Sequence, residues 1–155
     1  MSRFEHVVTV DAPIREVYDQ WTQFEDFPRF MEGVESVVQL DDRTLDWTAE
    51  IGGQRRRWTA EITDQTPDTR VAWKSRSGAD NAGAVLFEPV DGDRTRITLR
   101  MDVEPEGLVE SAGDALGFVE RQTKGDLERF KQFIENRGQA TGAWQGEIHG
   151  AEVRR

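Results

Sequence analysis

The sequence predicts an α+β domain in which a seven-stranded antiparallel sheet with one apolar face is covered by a long C-terminal helix, with two short helices after the first strand. Three observations carry this expectation. From residue 3 to residue 103, run after run shows apolar side chains at every second position, the period of strands with one dry face. From residue 108 to about residue 137 the apolar steps change to three and four, the period of a helix. Between the first two strands lies DAPIREVYDQWTQFEDFPRFMEGV, which is too apolar for a free loop and too interrupted by Pro28 for one long helix.

Taken in order, residues 3–10 form a strand with Phe4, His6, Val8 and Val10 on one face. Asp11 is an N-cap candidate, and Pro13 suits the first helical turn because its φ is already fixed. Val17, Tyr18 and Trp21 then make a short amphipathic helix ending near Thr22, followed by a turn that holds Phe24, Phe27, Phe30 and Met31. Gly33 releases the chain into a strand over residues 34–40. The next strand, 44–51, carries Leu45, Trp47, Ala49 and Ile51 on one face and ends at Gly52-Gly53. Two glycines between alternating runs predict a two-residue hairpin, since primed turns need positive φ. That turn sets Ile51 opposite Gln54, Ala49 opposite Arg56, Trp47 opposite Trp58 and Leu45 opposite Ala60, so the apolar faces coincide. On the other face Glu50 opposes Arg55, an expected cross-strand charge pair.

Pro67-Asp68 marks the next turn, and residues 70–75 return with Val71 and Trp73 facing in. Residues 76–83 read as a polar loop. The last two strands, 84–89 and 94–103, are joined by a three-residue loop that places Val85 opposite Leu99 and Phe87 opposite Ile97; a two-residue loop would bury Leu86 in place of the larger Phe87 and gain less. After Pro105-Glu106-Gly107, the stripe of Val109, Ala112, Leu116, Val119, Thr123, Leu127, Phe130 and Ile134 defines the long helix, closed by Gly138. Gly113, Gly117 and Gly125 within it each cost roughly 1 kcal/mol against alanine, which points to close packing or to space kept open beside the helix. Residues 139–155 are glycine-rich and aperiodic. The expected organisation is therefore one domain, residues 1–138, and a flexible C-terminal tail, residues 139–155, in which Trp144 is the one docking candidate.

Composition narrows the function classes. A charged fraction of 32% and no apolar run near the roughly 18 residues of a spanning helix argue against membrane insertion. The N-terminal MSRFEHVVTV lacks the basic start and long apolar stretch of a signal peptide, so the expected location is the cytoplasm. The chain has no cysteine and only His6 and His149, so neither a metal site nor another cofactor is expected. A net charge of −10 disfavours contact with nucleic acid. A hydrophobic small molecule is the expected partner, and a homodimer with a second copy of the chain is left open.

The opening VDAPIREVYDQWTQFEDFPRFMEGVESV and the closing EPEG and GDLERFKQFIENRG resemble the START/Bet-v-1-like (SRPBCC) superfamily, especially its polyketide cyclase/dehydrase and coenzyme-Q-binding-type members. The resemblance runs from about Phe4 to Gly138. It implies a helix-grip fold, a curved sheet wrapped around the C-terminal helix with the two short helices closing one end, and a cavity for an apolar ligand between sheet and helix.

The candidate ligand-binding residues are Phe27, Phe30 and Met31 from the lid, Trp47, Arg56, Trp58, Trp73, Ser75, Phe87 and Leu99 from the sheet, and Leu116 and Val119 from the helix. Trp47, Trp58 and Trp73 share inward parity, which fits either plain core packing or the wall of a partly empty core. Arg56 faces inward near the hairpin turn, where it either snorkels to water or anchors a polar group of a ligand. Arg55 and Arg57 point outward. Tyr18 reads as a packing residue, and His6 lacks an identifiable orienting carboxylate. No nucleophile, base and acid fall together, so no catalytic residue is assigned and enzymatic activity is left open. The favoured function is binding or transport of a lipid, quinone or polyketide-like molecule. One alternative is a cyclase/dehydratase with Arg56 polarising a carbonyl and His6 or Ser75 relaying a proton. The other is an interaction module acting through the acidic surface and Trp144.

Overall fold

The structure is a computed structural model and describes residues 2–78, 80–104 and 115–155. Strand β1 (Ser2–Val10) leads into helix α1 (Ile14–Trp21) and a 3-10 helix (Phe24–Arg29). A meander follows: β2 (Val34–Gln39), β3 (Thr44–Ile51), β4 (Gln54–Thr66), β5 (Arg70–Gly78), β6 (Asn81–Asp91) and β7 (Arg94–Val103). Helix α2 (Ala115–Arg137) and two short strands, β8 (Glu147–His149) and β9 (Glu152–Arg154), complete the chain. The expected start of the long helix, with Val109, Ala112 and Gly113, lies outside the described residues.

The main path of the sheet runs β1-β7-β6-β5-β4-β3-β2 with antiparallel neighbours, and β8 and β9 extend it to nine strands where seven are expected. The β3–β4 register follows from turn chemistry and face matching, and the β6–β7 register from face matching. Gly52 and Gly53 have φ of +60° and +81°, and Trp47 stands opposite Trp58 as Ala49 does Arg56. Val85 pairs with Leu99 and Phe87 with Ile97 as expected, so Phe87 is buried. The loop is not the three-residue one expected: Asp91 pairs with Arg94 across a two-residue turn, and a bulge between Pro89 and Asp91 restores the register. One core unites the inner face of the sheet, including Val71, Val85 and Ile97, with Leu127, Phe130 and Ile134 of α2 and the aromatics of the lid.

Four further local expectations are corrected. Asp11 does not cap α1: the helix starts one residue after Pro13, which is extended at ψ 150°, and the Asp11 N–H donates to Glu135 Oε2 at 2.6 Å. Arg55 faces Glu50 in the register, but its guanidinium reaches Glu35 at 2.7 Å, because Glu35 is the extra residue of a β2 bulge. The polar loop at 76–83 is much shorter, since β5 runs to Gly78 and β6 begins at Asn81. What tips this stretch into the sheet is Asn81, which is buried, donates its N–H to Ser75 Oγ and accepts from Trp73 Nε1.

The fourth correction concerns residues 139–155, expected as a flexible tail. Strand β4 outlasts its partner β3, whose pairing ends at Thr44 opposite Glu61. The free edge beyond is taken by β8, with Ile148 opposite Gln65 and fully buried. Gly150, at φ +62°, turns the chain into β9. The approach to β8 is hydrogen-bonded to the lid: Ala140 N–H to Glu16, Thr141 N–H to Gln20, Thr141 Oγ1 to Asp26 and Gln145 to Asp19. Trp144 folds over Gly146, where a Cβ would come within 2.5 Å of its ring.

Truncation after Gly138 removes the Ile148 anchor and these bonds at once. The shortened chain is expected to lose roughly 2–5 kcal/mol, the range for deleting one fully buried aliphatic side chain, and to melt several degrees lower. A flexible tail would leave the thermal midpoint in place, so a single melting comparison decides between them.

Candidate functional site

The core is not solid. A cavity of about 160 Å³ lies between the lid, the inner sheet face and α2. The lid contributes Trp21, Phe24, Phe27 and Met31; the sheet contributes Trp47, Trp58, Trp73, Leu99 and Met101; α2 contributes Val119, Gln122, Thr123, Asp126 and Leu127. The Trp47 and Trp58 indoles are stacked, 5.5 Å apart and 10° from parallel, as direct opposition on β3 and β4 allows. Phe27 lies 5.6 Å from Trp47, which ties the 3-10 helix to the sheet.

Of the twelve residues singled out by sequence, Phe27, Met31, Trp47, Trp58, Trp73, Leu99 and Val119 line this cavity, and the other five do not. Phe30 packs on Phe130 and Phe133, each 5.2 Å away, on the far side of the aromatic cluster. Phe87 meets Tyr18 edge-on at 5.3 Å. Leu116 packs with Phe4, Val103 and Val119 in a separate small cluster. Ser75 Oγ is held by the Asn81 N–H, and Arg56 sits half-buried opposite Ala49, toward the hairpin turn. Tyr18 is fully buried, and burial pushes its hydroxyl up to about 12, so it stays neutral. The buried Nε2 of His6 makes no hydrogen bond among the described residues.

Sequence reasoning passed over four polar wall residues: Asn81, Gln122, Thr123 as a polar group, and Asp126. Asp126 shares the helix face of Val119 and Thr123, seven and three residues earlier, so its inward parity was available from spacing alone. Asn81 was hidden by the loop assignment.

Two of these groups, Gln122 and Asp126, fasten the lid to α2 together with Arg129. Gln122 Nε2 donates to the Glu32 carbonyl at 2.9 Å, the Glu32 N–H donates to Asp126 Oδ1 at 3.0 Å, and Arg129 Nε donates to the Phe30 carbonyl at 3.0 Å. The approach requires glycine at 33: its φ is +90°, and a Cβ there would lie 2.6 Å from Gln122 Nε2 and 2.7 Å from the Glu50 carbonyl. Gly125 answers a related need. A Cβ would fall 3.0 Å from the Arg129 guanidinium, which folds back over it to reach Asp126 Oδ1 at 2.5 Å. Burial pushes the Asp126 carboxyl up to about 6; Arg129 and the Glu32 N–H pull the other way and offset only part of it. A groove bordered by Glu32, Glu35, Glu50, Phe118, Arg121 and Arg129 lies outside, and it shares Val34 and Gln122 with the cavity wall.

This cavity, closed by lid and helix over an antiparallel sheet, is where comparison with known proteins becomes informative. Residues 10–132 match the family model described as polyketide cyclase/dehydrase and lipid transport. The chain belongs to that family. It is 50% identical over 149 residues to an uncharacterised 17.2 kDa protein of Streptomyces lincolnensis, covering 96% of this chain and 99% of the relative. Among solved structures, the Zhui aromatase/cyclase of a Streptomyces strain superposes with a TM-score of 0.75 at 21% identity, covering 92% of this chain and 99% of that one. A START superfamily protein of Mycobacterium smegmatis gives 0.69 at 17% identity, covering 87% and 95%. The helix-grip fold expected from the sequence is the fold of these neighbours. The family's description joins cyclisation and dehydration with lipid transport, which assigns a ligand-binding or cyclase role. Among the described residues, no group of three or more acidic, histidine or cysteine side chains is placed to hold a metal, and no helix is long and apolar enough to cross a membrane.

The Asp126 shift has a consequence for stability. The folded chain keeps this proton to a higher pH than the unfolded chain, so the contribution is full below about pH 4 and is lost as pH rises through about 6. Asp126→Asn abolishes this dependence. Relative to wild type, the variant should gain on the order of 2–3 kcal/mol between about pH 4 and about pH 8, measured by urea unfolding at both ends. A constant difference would mean that Arg129 and the Glu32 N–H compensate the charge in full.

Proposed function

We propose that the chain binds or carries a small hydrophobic molecule, held in the cavity between sheet and α2, without transforming it. The observation that supports this most directly is the space itself: about 160 Å³ bounded mainly by aromatic and aliphatic side chains. Its volume is close to the roughly 150 Å³ apolar cavity that stays dry and admits one benzene ring. A single ring or a short branched chain fits without rearrangement. Cyclisation of a polyketide would require the two reacting ends of one chain to meet inside, which is more than this space accommodates. Arg56, His6 and Ser75, the residues a cyclase mechanism would draw on, are not among those that line the cavity. Trp144, one of the two reasons for considering an interaction module, packs against the core.

Filling the space tests the proposal. Ala49 is buried on the inner face of β3 and lines the cavity. Ala49→Phe should weaken binding of toluene by at least about tenfold, with a thermal midpoint within a few degrees of wild type. Equal toluene affinity in wild type and Ala49→Phe would place the ring elsewhere. Native mass spectrometry of freshly purified protein gives an independent check on whether a copurifying molecule disappears in the variant.

A further inference from the structure

The four polar residues of the cavity wall differ in what they still offer a ligand. Trp73 Nε1 donates to Asn81 Oδ1 at 3.3 Å, so that indole N–H is already engaged. The Thr123 hydroxyl donates to the Val119 carbonyl at 2.8 Å, and Gln122 Nε2 donates to the Glu32 carbonyl at 2.9 Å. Asp126 is different. Its Oδ1 accepts from both the Glu32 N–H and Arg129 Nη2, while its Oδ2 accepts no hydrogen bond among the described residues. The side chain is only 15% exposed and belongs to the cavity wall. On the α2 side, then, the Thr123 hydrogen and one Gln122 hydrogen are already used, and Asp126 Oδ2 offers an acceptor. A carboxylate oxygen in an apolar setting is costly to leave unpartnered, and a neutral donor restores its bond without carrying a further charge out of water.

Resting on the binding role proposed above, we infer that Asp126 Oδ2 receives a hydroxyl carried by the ligand, so that the cavity selects single-ring molecules of the phenol class over wholly apolar rings of the same size. The aromatic part lies among Phe27, Trp47, Trp58 and Trp73, and the hydroxyl points at α2. An ammonium is the weaker candidate. The Arg129 guanidinium already holds the Asp126 carboxylate at 2.5 Å, and an alkylammonium would have to shed its own hydration against the tryptophan walls. Gln122 and Thr123 flank the carboxylate on the same helix face and position the ring rather than bind the hydroxyl.

The test is a calorimetric titration of the full chain with phenol, toluene and benzylamine at about pH 8, where Asp126 is ionised. Phenol and toluene are near-isosteric and differ in the donor. Wild type is expected to favour phenol by about tenfold, the value of one hydrogen bond to a charged acceptor, and to bind benzylamine more weakly than phenol. Asp126→Asn can keep the Glu32 and Arg129 contacts through its amide oxygen but presents an N–H where Oδ2 stood. Its amide N–H can donate only a neutral hydrogen bond to the phenol oxygen, so its phenol preference should fall severalfold while its toluene affinity holds, which also shows that the variant retains the cavity. Toluene binding by wild type with no phenol preference, or a preference for benzylamine, overturns this inference and leaves the binding role standing. If wild type binds none of the three rings, both fall together. An undiminished phenol preference in Asp126→Asn moves the acceptor to another residue and overturns the assignment.

Discussion

The rest of the structure depends on one ring. Phe27 lies within 5.1–5.6 Å of Trp21, Phe24, Phe30 and Trp47, so α1, both ends of the 3-10 helix and the sheet meet on a single side chain. Aromatic pairs in tilted and edge-to-face geometries contribute about 0.5–1.5 kcal/mol each beyond the area they bury. Their larger effect here is positional. Trp47, held against Phe27 on one side and stacked on Trp58 on the other, cannot swing into the space beneath it. The lid is seated by the same contacts that hold that space open.

Polar contacts complete what the aromatic cluster begins, and they divide by face. On one side of the lid, Gln122, Asp126 and Arg129 fix residues 30–32 to α2 at the cavity's edge. On the other, residues 140–145 bind Glu16, Asp19, Gln20 and Asp26 of α1 and the 3-10 helix. The lid is thus gripped between the helix and the C-terminal strap, and the strap is pinned by Ile148 against the free edge of β4. Movement of the lid would have to break bonds on both faces. Two of the three residues on the α2 side, Gln122 and Asp126, also line the cavity, so the lid position and the cavity wall are physically linked.

The sheet was legible wherever local chemistry and face alternation agreed. Gly52-Gly53 with matched apolar faces determined one hairpin register, and burial of Phe87 determined another. The fold also carried into the family resemblance, because the order of elements is itself a pattern. Reading failed where the decisive partner was distant in sequence. Asn81 belongs to a strand because it bonds to Trp73 and Ser75, which local composition cannot reveal. Residues 147–154 pair only because β4 is longer than β3, a mismatch with no signature in the tail itself; three-residue strands are too short to show a period. At the site, aromatic residues were readily found by parity, whereas Asp126 was overlooked because a charged residue in a helix is ordinarily assigned to its solvated face. Of the two purposes expected for the helix glycines, close packing and open space, Gly125 serves the first, since a Cβ there would meet the Arg129 guanidinium.

The cavity is also an energetic statement. Space left in a core costs roughly 24 cal/mol for each cubic ångström, so 160 Å³ forgoes on the order of 4 kcal/mol relative to a filled interior. Set against net stabilities of about 5–15 kcal/mol, that is a large fraction to leave unused. Collapse would be simple in principle, since Ala49 and Ala60 on the inner face could each carry a larger apolar side chain. Instead the two alanines stand beside rigid, mutually braced tryptophans that cannot relax into the gap. Small residues next to stiff ones preserve volume, and a ligand that fills it restores the missing contacts. The contacts that the cavity walls forgo are therefore available to a ligand as binding energy, which gives the cavity a physical rationale that packing alone does not supply.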